Sequence, residues 1–200
     1  VLTKQSAKKI ASIYGFLKKE GFYYQQYIPC LDALGEEEGQ HPWSLTPKVY
    51  GEALKELFDL WFEDIQKGNI VSVREFDNWL SILKGLPPEA CSQSGRCSMQ
   101  NIVEANGDIY PCDFYVLDPC RVANVQDENF RFFQGILPNM EFFKEGMKRG
   151  EACKECKWYP LCRGGCRRNY TKENKNYFCE AYQEFFEYTI ARWEWLAARL

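Results

Sequence analysis

Residues 153–166 read CKECKWYPLCRGGC, four cysteines spaced Cys153-x2-Cys156-x5-Cys162-x3-Cys166. With 10 cysteines in 200 residues, meeting three such spacings by chance has a probability of roughly one in a thousand, so the run reads as a metal-binding signature. A C-x2-C turn aims two thiolates at one centre, and Gly164-Gly165 lets the backbone bend sharply and bring N–H groups near sulfur. Two readings stay open: a closed four-cysteine zinc site, and an iron–sulfur site in which the last cysteine of the run serves a second cluster. Upstream, Cys91-x5-Cys97-x14-Cys112 supplies only three ligands, and Cys179 lies beyond the run. Eight cysteines make two four-ligand sites if one run member crosses over. That leaves Cys30, expected as a buried free thiol, and Cys120, which has no assignable role. Lys154, Lys157, Arg163, Arg167 and Arg168 crowd the run; they would offset cluster charge, or equally form a solvated basic face.

Composition narrows the class. An apolar content of 46% and an aromatic content of 16% can fill a core without disulfide staples. The 25 basic and 28 acidic residues leave a net charge of -3, so no global basic field gathers nucleic acid. A mean hydropathy of -0.47 and the lack of a long apolar run exclude a membrane-spanning helix. The single histidine, His41, excludes H-E-x-x-H zinc sites and would have to carry any Ser-His or Cys-His chemistry alone. The chain begins at Val1 with no secretion signal, and its pattern starts in mid-fold, so a portion N-terminal to it is expected.

Working outward, apolar spacing predicts a helix over Lys4–Lys19, stopped by Gly21, and a second over Val49–Lys67. Phe22–Leu31, rich in β-formers and broken by Pro29, reads as a strand, and Ile70–Phe76 as another. Asp32–Pro47, with Glu36-Glu37-Glu38, reads as a long exposed loop. Helix, strand, helix, strand argues for a parallel sheet covered by helices, part of an α/β layer or β/α barrel. Gly85-Leu86-Pro87-Pro88 marks a boundary, and nine of the ten cysteines follow it. Beyond it, residues 101–111 carry a hairpin signal around Asn106-Gly107, and Ala181–Leu200 reads as a closing amphipathic helix.

The pattern of Cys97, Gly107 and Cys112, then the four-cysteine run, then Cys179, resembles the SPASM domain of radical S-adenosylmethionine enzymes. Cys91, the Pro111-Cys112-Asp113-Phe114-Tyr115 block and residues 25–32 (QQYIPCLD) resemble more narrowly the anaerobic sulfatase-maturating enzymes. The resemblance implies an α/β fold: the C-terminal part of a radical SAM partial (β/α) barrel over 1–85, a SPASM domain over 86–180, and a C-terminal helix over 181–200. It implies two auxiliary 4Fe-4S clusters, the first on Cys91, Cys97, Cys112 and Cys166, the second on Cys153, Cys156, Cys162 and Cys179. It also implies S-adenosylmethionine and a third 4Fe-4S cluster in the full-length enzyme. The activity implied is radical oxidation of a peptidyl cysteine or serine in an unfolded sulfatase segment to formylglycine. An electron donor such as flavodoxin or ferredoxin, a cytoplasmic location and an anaerobic host go with it.

Residue by residue, Asp113 resembles the family's general base, although a turn aspartate satisfying backbone N–H groups is the plain alternative. Leu31 resembles a position that packs against adenine, or is ordinary core. Arg74 on its strand, and Asp77 and Asn78 beyond it, are candidate substrate contacts by analogy; for Asp77 a helix N-cap before Trp79 is the alternative. The radical-generating C-x3-C-x2-C motif is absent, since Asn169 stands where a third cysteine would follow Cys162 and Cys166, so the chain alone is expected to be inactive. Two rivals share the cysteines: another SPASM enzyme forming peptide thioether or carbon–carbon links, and a non-catalytic zinc-binding interaction module.

Overall fold

In the computed structural model, residues 1–127 and 140–199 are described. Helices α1 (Lys4–Ala7) and α2 (Ile10–Lys19) replace the single helix expected over Lys4–Lys19. Thr3 and Ser6 cap α1 reciprocally, and Lys9 leaves the helical range at φ -118°, so the segment breaks into two pieces on one apolar face. Strand β1 (Tyr24–Gln25) pairs in parallel with β2 (Ser72–Val73), and Leu2 bridges in parallel to Pro29. The expected strands are therefore much shorter than their β-rich runs. Propensity supplies side chains suited to a sheet, but a ladder needs a hydrogen-bonded neighbour at each residue, and Pro29 has no N–H to give.

Helix α3 (Pro47–Gln66) starts two residues before the expected Val49, where Thr46 accepts the Val49 N–H and Pro47, placed in the loop by the sequence reading, presets the first turn. Helix α4 (Arg74–Leu83) begins directly after β2, with Val73 as its N-cap. Two expectations are corrected here. Arg74 opens a helix rather than lying on a strand, and Asp77 sits inside the first turn, where it accepts the Ser72 hydroxyl at 2.5 Å. A carboxylate in a first turn suits the positive end of the helix dipole, which explains how the segment tolerates Glu75 and Asp77 without a side-chain cap.

The cysteine-bearing region holds short elements. Helix α5 (Cys91–Ser94) is followed by a three-stranded antiparallel sheet of β3 (Ile102–Val103), β4 (Asp108–Tyr110) and β5 (Ala123–Asn124). The expected hairpin is present, with Gly107 at φ +85° in its turn, and β5 adds an edge that no sequence pattern announced. Helices α6 (Glu141–Met147) and α7 (Tyr159–Cys162) follow, and α8 (Cys179–Ala197) closes the chain; Leu200, the last residue of the expected closing helix, lies outside the described residues.

One core joins the first and last thirds of the sequence. Helix α8 sends Phe185, Phe186, Trp193 and Leu196, all fully buried, against Leu54, Phe58 and Trp61 of α3 and Phe76 and Trp79 of α4. Phe58 and Trp193 pack at a centroid distance of 4.8 Å, and Gly51 lets α3 approach so closely that a Cβ there would stand 3.3 Å from the Ala181 Cα. Burial of each such ring contributes about 1.5–3 kcal/mol. Beneath this core Tyr14 and Lys18 of α2 both donate to the Asp64 carboxylate. Burial alone would raise the Asp64 pKa, but the bonds from Lys18, Tyr14 and Asn69 outweigh it and hold the carboxyl below its ordinary value. Its stabilisation is thus present above the ordinary carboxylate range and is lost as pH falls through the lowered pKa. Among the described residues, no helix is long and apolar enough to cross a membrane.

Candidate functional site

The loop between α7 and Asn169 is shaped by three successive residues with positive φ: Arg163 at 52°, Gly164 at 87° and Gly165 at 72°. The step from right-handed Cys162, the last residue of α7, to left-handed Arg163 turns successive backbone N–H groups to one side and forms an anion-binding concavity. Here the Gly164 N–H reaches the Cys162 sulfur, and the Arg168 N–H that of Cys166. There is no room for a side chain: a Cβ on Gly164 would lie 2.8 Å from the Tyr170 hydroxyl and closer still to Arg149 Nε, and one on Gly165 would strike the Asn176 amide. Asn176 itself donates to the Gly164 carbonyl at 3.0 Å and accepts the Phe178 N–H at 2.8 Å, which ties the loop to the start of α8. Gly164→Ala is therefore expected to cost about 1–3 kcal/mol in backbone strain and to lower metal content, read by thermal melting and metal analysis of the full-length protein.

The fold sorts eight thiols into two groups. Cys97 lies within electrostatic reach of Cys91, Cys166 of both Cys91 and Cys97, and Cys112 of Cys166. In the second group Cys162 is within reach of Cys153, Cys156 and Cys179, and Cys179 of Cys153 and Cys156. Burial pushes the Cys112 and Cys162 thiols up to about 12 and the Cys166 thiol up to about 11; a bound cation opposes this by taking the place of the protons. Side-chain amides point at sulfur in both groups, Gln100 at Cys91 and Gln183 at Cys156, each at 3.7 Å. Cys120 closes a 3-10 turn and Cys30 is half-buried rather than buried; neither belongs to a group. Among the described residues, no three His, Cys, Asp or Glu side chains form a set that could hold a single metal ion.

A cavity of about 550 Å³ opens between the two thiol groups and the α/β part, lined among others by Leu31, Arg74, Cys91, Asp113, Cys162 and Cys166. Asp113 is exposed on its wall. Its Oδ1 accepts the Phe114 N–H at 3.0 Å and lies 3.3 Å from the Cys112 sulfur, so the turn role and a place beside a thiol hold together. Leu31 is half-buried against the core and faces the cavity. Arg74 reaches Gln26 at 3.4 Å and lines both this cavity and a neighbouring one of about 520 Å³. Asp77 and Asn78 line only the second. The Asn78 amide is already engaged on both sides, donating to the Arg74 carbonyl and accepting the Ala90 N–H, so it braces α4 against the segment leading to Cys91.

Sequence reasoning missed several wall residues. Glu75 lies in the wall with its pKa raised, first by burial. Trp79 Nε1 and Asn169 Oδ1 are buried without hydrogen-bond partners, and both residues line the cavity. Tyr182 lines the cavity together with Cys162 and Cys166. Only Tyr182 carried a signal, since it follows Cys179 by one helical turn.

No protein-family model matches the chain. It is 44% identical over 197 residues to the cysteine-type anaerobic sulfatase-maturating enzyme of Clostridium perfringens (strain 13 / Type A), covering 96% of this chain and 53% of that protein. It is 41% identical over 205 residues to the cysteine-type enzyme of Clostridium novyi (strain NT), covering 100% and 55%. The serine-type enzyme of Bacteroides thetaiotaomicron is 23% identical over 228 residues, covering 100% and 53%. Among solved structures, native anSMEcpe with bound AdoMet superposes with a TM-score of 0.93 at 43% identity, covering 100% of this chain and 56% of that one. Native anSMEcpe with bound AdoMet and Kp18Cys peptide gives 0.94 at 43%, covering 100% and 57%. The chain spans about half the length of the curated relatives it matches. By sequence and by fold, the chain belongs to the family of anaerobic sulfatase-maturating enzymes.

Proposed function

We propose that this chain is the auxiliary-cluster and substrate-facing part of a radical S-adenosylmethionine enzyme that oxidises a peptidyl cysteine of a sulfatase to formylglycine. The observation that carries the reading is the single cavity on which Asp113, Leu31 and Arg74 meet members of both thiol groups. Identity to cysteine-type relatives at 41% and 44% against 23% for a serine-type one favours a cysteine substrate. The division into 1–85, 86–180 and 181–200 belongs to the same proposal, although α8 shares its core with α3 and α4.

The donor sets fit iron–sulfur centres: four thiols in each group, and backbone or amide N–H groups directed at sulfur, the surroundings that stabilise thiolate-held clusters. Cys91, Cys97, Cys112 and Cys166 would hold the first auxiliary 4Fe-4S cluster, and Cys153, Cys156, Cys162 and Cys179 the second. When bound, S-adenosylmethionine and its own cluster, held by the rest of the enzyme, supply the radical that removes a hydrogen atom from the substrate β-carbon, and the first auxiliary cluster supplies an electron acceptor nearby. Leu31, on the cavity wall, would pack against the adenine. Arg74, with the free N–H of Trp79 and the free amide oxygen of Asn169, offers donors and an acceptor to an extended, unfolded peptide. Asp113 takes the proton from the substrate at a carboxylate oxygen. Loss of a hydrogen atom, a proton and an electron converts the CH2–SH group to a thioaldehyde, which water hydrolyses to the aldehyde with release of hydrogen sulfide. The electron that starts the reaction would come from a donor protein such as flavodoxin or ferredoxin, in a reducing cytoplasm.

The test is the full-length protein, purified without oxygen and supplied with S-adenosylmethionine and reductant, acting on sulfatase peptides bearing cysteine or serine. Mass spectrometry is expected to find aldehyde in both or mainly in the cysteine peptide. An internal thioether or carbon–carbon link without aldehyde would favour the cross-linking rival, and no modified peptide would remove the reading.

A further inference from the structure

Arg149 lies between the two thiol groups and belongs to neither. Its guanidinium donates to four carbonyl oxygens: Arg163 at 3.1 Å, Gly146 at 2.9 Å, Lys148 at 2.7 Å and Gly95 at 2.6 Å. Gly95 belongs to the loop between Cys91 and Cys97, and Arg163 to the loop between Cys162 and Cys166, so one side chain staples a loop of the first group to a loop shared by both. None of the ion pairs among the described residues involves Arg149, and its charge bears on Cys97 of one group and Cys153 of the other. No carboxylate among the described residues pairs with this cation, so no opposite charge cancels it locally.

Tyr170 completes the arrangement. Its ring lies 5.3 Å from the Arg149 guanidinium, and Gly164 is packed against its hydroxyl. That hydroxyl is buried with no hydrogen-bond partner, while Cys153, Cys162 and Cys166 lie within its electrostatic reach. A buried O–H left without an acceptor is destabilising, so an acceptor supplied by bound sulfur accounts for its position.

We propose that Arg149 and Tyr170 form a shared electrostatic element between the two auxiliary clusters, Tyr170 donating its O–H to cluster sulfur and Arg149 holding a positive charge beside both, so that together they set the clusters' reduction potentials. Reduction adds one electron to a cluster and makes it more negative, so a donor and a cation favour the reduced form. Both are positioning residues; neither touches substrate. The inference rests on the iron–sulfur reading above.

The experiment is a redox titration of the full-length, cluster-loaded protein followed by electron paramagnetic resonance, comparing wild type with Tyr170→Phe, Arg149→Met and Arg149→Lys. Tyr170→Phe is expected to disfavour reduction of an auxiliary cluster about tenfold, a fall of about 59 mV for one electron, with iron content unchanged. Arg149→Met is expected to lower both auxiliary potentials, and Arg149→Lys, which keeps the charge, to restore them in part. Each variant stands as a test by itself. Auxiliary potentials equal to wild type in either Tyr170→Phe or Arg149→Met would overturn the proposal. A wild-type protein that holds no 4Fe-4S clusters would instead overturn the reading beneath it, which separates the two failures.

Discussion

Asp113→Asn in the full-length enzyme is expected to lower aldehyde formation from a cysteine peptide by about 10²–10⁴-fold, the range in which a positioned general base contributes. The substitution is close to isosteric. The asparagine carbonyl still accepts the Phe114 N–H that Asp113 Oδ1 takes at 3.0 Å, so the turn after Cys112 is retained and only the basic oxygen is lost. Iron content and the visible spectrum are therefore expected to match wild type, and S-adenosylmethionine is still expected to be cleaved. Aldehyde formation at a near-normal rate would remove Asp113 from the mechanism and leave it as the turn residue its hydrogen bond makes it.

Stripping iron from the full-length protein is expected to raise the protease sensitivity of residues 91–178 by at least about tenfold while leaving most of the helical circular dichroism in place. The reason lies in the distribution of regular structure. Between Cys91 and Phe178 the longest described helix is Glu141–Met147 and the longest strand Asp108–Tyr110, and most of the buried apolar residues there, such as Ile109, Ala123 and Phe142, stand outside the main core. Segments with so little burial depend on covalent or metal cross-links for their order. By contrast α3 and α8 interlock through Phe58, Phe185 and Trp193 and need no metal to do so. Unchanged protection of residues 91–178 after complete iron removal would contradict this division.

Where local chemistry sufficed, the sequence could be read directly. The apolar face of Leu54, Leu57, Phe58 and Trp61 specifies α3 to within two residues at each end, although its Thr46-Pro47 start went unread, and Asn106-Gly107 specifies the hairpin. The border between β2 and α4 could not be read, because Arg74, Glu75 and Phe76 suit a strand or a first helical turn equally, and a contact from Ser72 to Asp77 decides. The division of the eight thiols into two ligand sets comes from the family resemblance alone, and the cavity beside them depends on which loops meet in space. Arg149 shows the limit most plainly. Its partners include the carbonyl of Gly95, 54 positions away, and a main-chain acceptor leaves no trace in residue type. The partners of Asn78, a candidate substrate contact by analogy, are likewise backbone groups that residue type does not announce.

The central claim is that the two thiol groups hold iron–sulfur clusters, and the most direct test is iron, zinc and acid-labile sulfide analysis, with a visible spectrum, on this chain purified without oxygen. Two cubane clusters predict a brown protein with about eight iron and about eight sulfide per chain. A colourless protein with about two zinc and no sulfide, the composition of two all-cysteine zinc sites, would contradict the account and leave a structural metal module.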